Sequence, residues 1–238
     1  MSGEAILRVE GLDSYYDRAH ILSDVTLEVG RGEVVVLLGR NGAGKTTTLK
    51  CIMGLVMPAR GRIEYNGESI IGLPPHAISR LRLAYVPEDR RIFTDLTVRE
   101  NLDVGRQKPR AGSPTWTEER VFELFPNLAE MRDRRGGRMS GGEQQMLTIA
   151  RSLMGNPATI LLDEPSEGLA PVIVEQMAET IHGLKAEGLT VVLSEQNLHF
   201  AALVSDRAYI IEKGRIRYHG TMTELAADAE VRQAYLTV

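Results

Sequence analysis

The amino-acid sequence predicts an α/β domain: a mostly parallel sheet with a small antiparallel sheet beside it and a helical insert. Three observations carry that expectation. The apolar run Val34–Leu38 leads straight into Gly39, Arg40, Asn41, Gly42, Ala43, Gly44, Lys45 and Thr46, and a helix-compatible run over residues 47–53 follows. A second apolar run, Thr159, Ile160, Leu161 and Leu162, ends in the paired carboxylates Asp163 and Glu164, as a strand buried on both faces of a parallel sheet does. Between residues 90 and 138 strand-like runs vanish, and residues 96–104 and 117–124 read as helices.

Composition frames these elements. The 238 residues suffice for one large α/β domain, and 43% apolar residues with only 5% aromatics imply an aliphatic core. A net charge of −4 supplies no basic field for nucleic acid, so that partner class is not expected. The single cysteine, Cys51, excludes an internal disulfide and reads as a buried, reduced thiol. The first residues lack the charged start and long apolar stretch of a signal peptide, and no apolar run approaches the roughly 18 residues of a membrane span. The expectation is a soluble, cytoplasmic protein whose role at a membrane requires a separate chain.

In chain order, residues 5–10 and 25–29 read as strands of the antiparallel sheet, with Tyr15, Tyr16 and Asp17 in the loop between them. Tyr16 has two readings from the residues alone: a stacking surface for an adenine ring, or an aromatic capping the core edge. The segment from Gly39 to Thr46 then matches the phosphate-loop pattern in its required strand-to-helix setting. Glycines at 42 and 44 let successive backbone N–H groups turn inward around a phosphate, and the following helix adds its positive N-terminal end. Lys45 reaches the β- and γ-phosphates, Thr46 offers a hydroxyl to Mg²⁺, and Thr47 donates toward the α-phosphate. The loop is expected to cradle a nucleoside triphosphate, as in the core of a P-loop NTPase fold.

Residues 61–67 form a strand ending in an Asn66–Gly67 turn, and Leu83–Val86 a strand stopped by Pro87. Residues 108–114 are turn-rich, and the arginines at 90, 91, 132, 134, 135 and 138 read as solvated surface. Ser140, Gly141, Gly142 and Glu143 open a helix with a capping box, and Met146, Ile149, Ala150 and Leu153 share its apolar face. Capping accounts for the serine and glutamate. It does not account for two adjacent glycines, each costing about 1 kcal/mol relative to alanine inside a helix. A first turn bare of side chains reads as a second anion site.

At the end of its strand, Asp163 is placed to hold the Mg²⁺ shell and Glu164 to orient or deprotonate an attacking water. A helix over residues 172–186, a strand over 190–194 and a hairpin over 208–218 with its turn at 212–214 complete the pattern. No two of His20, His76, His182, His199 and His219 have metal-ligand spacing.

The phosphate loop, a helical insert, Ser140 to Gln144, and Asp163–Glu164, in that order over essentially the whole chain, resemble the nucleotide-binding subunits of ATP-binding cassette (ABC) transporters. The resemblance implies the ABC ATPase fold, with residues 1–88 and 139–238 as nucleotide-binding core and 89–138 as helical subdomain. It implies ATP and Mg²⁺ as cofactors. It also implies a head-to-tail dimer with a second ATPase subunit, identical or related, so that Ser140, Gly141, Gly142 and Glu143 meet the γ-phosphate bound by the other chain. Tyr16 becomes the adenine-stacking aromatic, and permease transmembrane subunits become the membrane partners, with a solute-binding protein acting through them. The chain would then sit on the cytoplasmic face of the membrane.

Three departures from the general cassette pattern narrow the resemblance. Glu88 stands in the usual glutamine position, Ala170 in the usual aspartate position after the acidic strand, and Gln196 in the usual switch-histidine position. With residues 230–236 they resemble the LivF type of branched-chain amino acid importer ATPase. Glu88 is then either a Mg²⁺ ligand or a permease contact, and Gln196 a hydrogen-bond donor to the γ-phosphate that cannot carry a titrating proton, so that among the catalytic residues Glu164, Lys45 and Gln196 the chemistry rests more heavily on Glu164. A lipid or polysaccharide exporter ATPase shares the core but is expected to show Gln at 88 and His at 196. Non-transport cassette proteins are expected to carry two cassettes or long coiled-coil inserts, and neither is present.

Overall fold

The structure, a computed structural model, describes residues 5–109 and 115–235. In chain order, β1 (Ala5–Tyr16) and β2 (Ala19–Gly30) form a long hairpin, followed by β3 (Val34–Leu38) and helix α1 (Lys45–Ile52). Next come β4 (Arg60–Tyr65), β5 (Glu68–Ser69), α2 (Pro75–Arg80) and β6 (Leu83–Val86). The insert supplies α3 (Val98–Gly105), α4 (Glu118–Leu124) and α5 (Pro126–Glu130), and α6 (Gly141–Leu153) leads into β7 (Thr159–Asp163). The chain ends with α7 (Pro171–Ala186), β8 (Thr190–Glu195), α8 (Leu198–Val204), the hairpin β9 (Arg207–Glu212) and β10 (Arg215–Thr221), α9 (Met222–Ala227) and α10 (Ala229–Tyr235).

Two sheets result. The antiparallel one has the order β2-β1-β4-β5, and the larger has the order β10-β9-β3-β8-β7-β6 with only β10 antiparallel. Strand β3 lies at the centre of the larger sheet. Val34, Val36 and Leu38 pack into the layer formed with the helices, while Val35 and Leu37 pack toward the antiparallel sheet and α1. Burial on both faces explains why this strand reads as an unbroken apolar run instead of an alternating one. Because β3, β8 and β7 are parallel neighbours, their C-terminal ends open at one edge, which brings Gly39, Glu195 and Asp163 together.

The insert shares the main apolar core. Val98, Leu102, Val121, Phe125 and Leu128 join Leu147, Ile149 and Leu153 of α6 in one cluster. Buried Asn101 organises the entry to the insert: its Oδ1 accepts from Phe93 N at 2.9 Å, and its Nδ2 donates to the carbonyls of Phe93, Leu96 and Thr97.

Three differences from the sequence reading have physical causes. The first hairpin is far longer than residues 5–10 and 25–29. Tyr15 and Tyr16 are strand residues paired with His20 and Ala19, and the reversal falls at Asp17 with φ 51°. Register shifts between Val9 and Tyr15 break the two-residue period and hide the strand from a pattern search. Helix α2, six residues long with Pro75 in its first turn, is too short to show a helical period. The hairpin at 208–218 also does more than pair with itself, since β9 lies parallel to β3. Of the turn-rich stretch, residues 110–114 lie outside the described residues, as does Leu236 of the C-terminal motif.

Candidate nucleotide site

The site grows from the end of β3. Gly39 N donates to the Glu195 carbonyl at 3.1 Å, and a Cβ on Gly39 would fall 2.4 Å from the Ile211 carbonyl oxygen, so only glycine lets the chain turn here. Gly44 has φ 113°, and a Cβ there would lie 2.7 Å from Leu22 Cδ2. The loop is therefore pressed against β9 and β2 on one side, and its other side is free to face a ligand.

Lys45 is 3% exposed, and its Nζ donates to the Gly39 carbonyl at 2.8 Å and the Arg40 carbonyl at 3.2 Å. It also pairs with Glu164 Oε1 at 2.9 Å. A buried ammonium needs such partners, and all of them are groups a phosphate oxygen can compete with. Thr46 Oγ1 donates to Asp163 Oδ1 at 2.9 Å. Asp163, 1% exposed, also accepts from Ser194 Oγ at 2.6 Å and Tyr85 OH at 2.8 Å. Burial and the Asp163 carboxylate push the Tyr85 phenol far above its ordinary range, so it stays a donor.

Glu164 follows directly, in the left-handed region at φ 46° and 6% exposed. Its backbone N–H donates to the carbonyl and the hydroxyl of Ser194, both at 3.1 Å. A non-glycine residue held at positive φ carries strain of about 1–3 kcal/mol that the surrounding contacts must offset. Burial alone would raise the Glu164 carboxyl, but its contacts with Glu167 and Lys45 outweigh that and hold it below the usual glutamate range. Glu167 goes the other way: its hydrogen bond to Glu164, with burial and the charges of Glu164 and Glu88, pushes it up to about 7. The two neighbouring carboxyls are thus pushed in opposite directions, Glu164 down and Glu167 up.

A cavity of about 390 Å³ gathers Tyr16, Asn41, Gly42, Gly44, Lys45, Thr46, Thr47, Glu88, Glu164 and Glu167. Residues scattered between positions 16 and 167 thus line one pocket, Tyr16 and Glu88 among them. A triphosphate fits this cradle, with Lys45 as its cation and the turned loop as its N–H source. Mg²⁺ fits the donor set, because the Thr46 hydroxyl, Asp163 and Glu88 are all hard oxygen donors. Gln196 instead lines an adjoining cavity of about 470 Å³ with Ser166, Glu167, Glu195 and Asn197.

Ser140 to Glu143 line neither cavity. The capping box forms as the spacing predicts: Glu143 N donates to Ser140 Oγ at 3.3 Å and Ser140 N to Glu143 Oε2 at 2.6 Å. The glycines, however, are not simply bare. A Cβ on Gly142 would lie 2.7 Å from Ile173 Cγ2, and one on Gly141 would lie 2.5 Å from a guanidinium nitrogen of Arg90. Close packing against Ile173 of α7 disfavours a side chain at 142, whereas at 141 the nearest atoms belong to the flexible end of Arg90. Arg90 is accordingly not free surface. Pattern reading also missed Tyr85, Glu167, Ser194 and Glu195. The nearest signal was position, since Ser194 and Glu195 close the strand just before Gln196 and Glu167 lies three residues after Glu164.

A central parallel sheet with a phosphate loop after one strand and an acidic pair after another defines a P-loop ATPase. The chain belongs to the ABC transporter family, whose profile matches residues 22–167. It is 47% identical over 231 residues to the high-affinity branched-chain amino acid transport ATP-binding protein BraG of Pseudomonas aeruginosa, covering 97% of this chain and 99% of BraG. The lipopolysaccharide export system ATP-binding protein LptB of Haemophilus influenzae is 38% identical over 234 residues, 98% of this chain and 97% of LptB. A probable branched-chain amino acid transport ATP-binding protein LivF of Archaeoglobus fulgidus is 36% identical over 221 residues, 92% of this chain and 94% of LivF. Among solved structures, the ADP conformation of an ATP-binding cassette of an ABC transporter superposes with a TM-score of 0.82 at 27% identity, covering 97% of this chain and 98% of the other. The α/β cassette fold expected from the sequence is the fold observed. Among the described residues, no helix is long and apolar enough to cross a membrane.

Proposed function

We propose that this chain hydrolyses ATP to power an importer of branched-chain or other hydrophobic amino acids. The substrate class rests on the near full-length similarity to BraG. The observation that carries the chemistry is the joining of Lys45 to Glu164, both lining one cavity, and of Thr46, which lines it too, to Asp163.

In this reading, Tyr16 stacks on adenine, the amides from Gly39 to Thr47 and Lys45 cradle the phosphates, and Thr46, Asp163 and Glu88 hold Mg²⁺ with waters. Bound Mg²⁺ would supply charge neutralisation on the phosphate oxygens. Glu164, kept ionised by its neighbours, accepts a proton from the attacking water, and Gln196 donates to the γ-phosphate side. A second ATPase chain contributes its Ser140 to Glu143 helix end in trans, since these residues line no cavity with the phosphate loop of their own chain.

Residues 89–138 act as the subdomain that meets permease transmembrane subunits on the cytoplasmic face, and a solute-binding protein acts through the permease. A groove of about 700 Å³ between core and insert, bordered by Leu55, Tyr85, Phe93, Val104 and Arg151, suits a protruding permease segment. Glu88 lines the nucleotide cavity, which favours the Mg²⁺ role over permease contact. The similarity to LptB keeps a lipid-exporter reading as the alternative, and Glu88 and Gln196 weigh against it. The test is uptake of labelled leucine by cells lacking the gene. The intact chain restores uptake and Glu164→Gln does not; unchanged uptake together with failed lipopolysaccharide export would favour the exporter.

A further inference from the structure

Glu195 is a charged residue in a place where the sheet asks for an apolar one. It closes β8, is 1% exposed, and pairs in register with Leu38 at the mouth of the phosphate loop. Burying a carboxylate costs several kcal/mol unless donors surround it. Here three backbone N–H groups donate, and the Ser166 side chain also hydrogen-bonds the carboxyl. Oε1 accepts from Ser166 N at 3.1 Å, and Oε2 accepts from Gln196 N at 3.2 Å and Asn197 N at 3.3 Å. Its own carbonyl accepts the first amide of the phosphate loop, Gly39 N, at 3.1 Å.

One residue therefore joins three segments of the site. Ser166 is the third residue of the turn that sets Glu167 against Glu164, closed by the Glu167 N–H donating to the Glu164 carbonyl at 3.2 Å. Gln196 follows Glu195 directly, and both border the cavity of about 470 Å³ that Glu167 also lines. We propose that Glu195 is a positioning residue for hydrolysis, a buried carboxylate that clamps the Gln196 segment to the turn after Glu164. It touches no reacting atom. It sets the angle at which Gln196 and Glu164 face the γ-phosphate side, and this inference rests on the reading of those two residues given above.

Glutamine at 195 keeps the volume but has one acceptor oxygen and an NH₂ group that cannot accept, so one arm of the clamp must open. The same change removes a buried charge, so a residue that served packing alone would lose neither stability nor turnover. Glu195→Gln is expected to lower kcat for ATP about tenfold, with KM within about twofold and an undiminished Tm, because orientation is lost and binding is not. If Glu195 acts through Gln196, then Gln196→Ala and the double variant lose about the same tenfold, whereas independent actions multiply to about a hundredfold. In the purified chain alone, amide exchange at Ser166 or at Gln196 and Asn197 should accelerate in Glu195→Gln, and at strand β7 it should not. Turnover within twofold of the parent, multiplied losses in the double variant, or unchanged exchange at all three amides would each overturn the clamp. Turnover retained by Glu164→Gln would instead sink the assignment of the base and leave the amide-exchange result standing.

Discussion

The phosphate loop and the Ser140 helix end invite comparison, because both place glycines before the first turn of a helix. At the loop, Lys45 pairs with Glu164 and Thr46 with Asp163 inside this chain, and Lys45, Asp163 and Glu164 are all buried. At the helix end, Ser140 is exposed and the neighbours are structural, Ile173 and Arg90. Gly39 and Gly44 are required by backbone approach and by a left-handed φ, whereas Gly142 is required by the packing of one helix on another. Like spacing in sequence thus conceals unlike causes. The first lines a cavity within this chain, and the second is a capped helix end that lines no cavity with it.

That contrast can be broken by substitution. The largest effect is expected from Glu164→Gln, which should lower turnover by about 10²–10⁴ while leaving ATP binding intact, read by steady-state hydrolysis and nucleotide titration. Normal turnover there would remove the general base. Gly142→Ala should destabilise the fold by about 1–3 kcal/mol through overpacking against Ile173, and Ile173→Ala in the same chain should recover part of it. If denaturant midpoints do not change, the packing account of Gly142 is wrong and the bare-turn account stands. Ser140→Ala should cost about 1 kcal/mol from the lost cap and lower hydrolysis, yet leave ATP affinity of the single chain unchanged.

The smallest effect concerns Glu167. Its carboxyl is raised to about 7, so below that pH it is protonated and neutral, and above it a second negative charge stands beside Glu164 and the phosphate cradle. ATP affinity should therefore weaken as pH rises through about 7, and Glu167→Gln should remove that component of the pH profile. The linkage to stability has the same sign. A carboxyl whose folded pKa is raised contributes stability at low pH that is lost as pH rises toward and through 7. Identical pH profiles for the parent and Glu167→Gln would refute the proton assignment.

Much of this was legible in the chain itself. Val34–Leu38 and the residues after it announce a strand, turn and phosphate loop because each step is local: apolar burial, glycine geometry and a helix start. Asp163 and Glu164 were legible for the same reason, as was the capping box of Ser140 and Glu143. The Tyr16 alternative was not decidable from spacing; its place in the cavity follows from the long β1–β2 hairpin, whose bulges had blurred the pattern.

What the sequence by itself determined is the set of local devices and, through their order, the family. The tertiary structure alone decided which devices share a site. Strand order β3-β8-β7 carries Glu195 to the phosphate loop and Ser194 to Asp163, across separations of more than 30 residues that no local period encodes. The packing of α7 on α6 decided why residue 142 is glycine, and the turn after β7 decided that the Glu167 carboxyl is raised while that of Glu164 is lowered. Dihedral preference and burial period act over a few residues. The electrostatics of a buried carboxylate depend on whatever the fold places within about 4–6 Å of it.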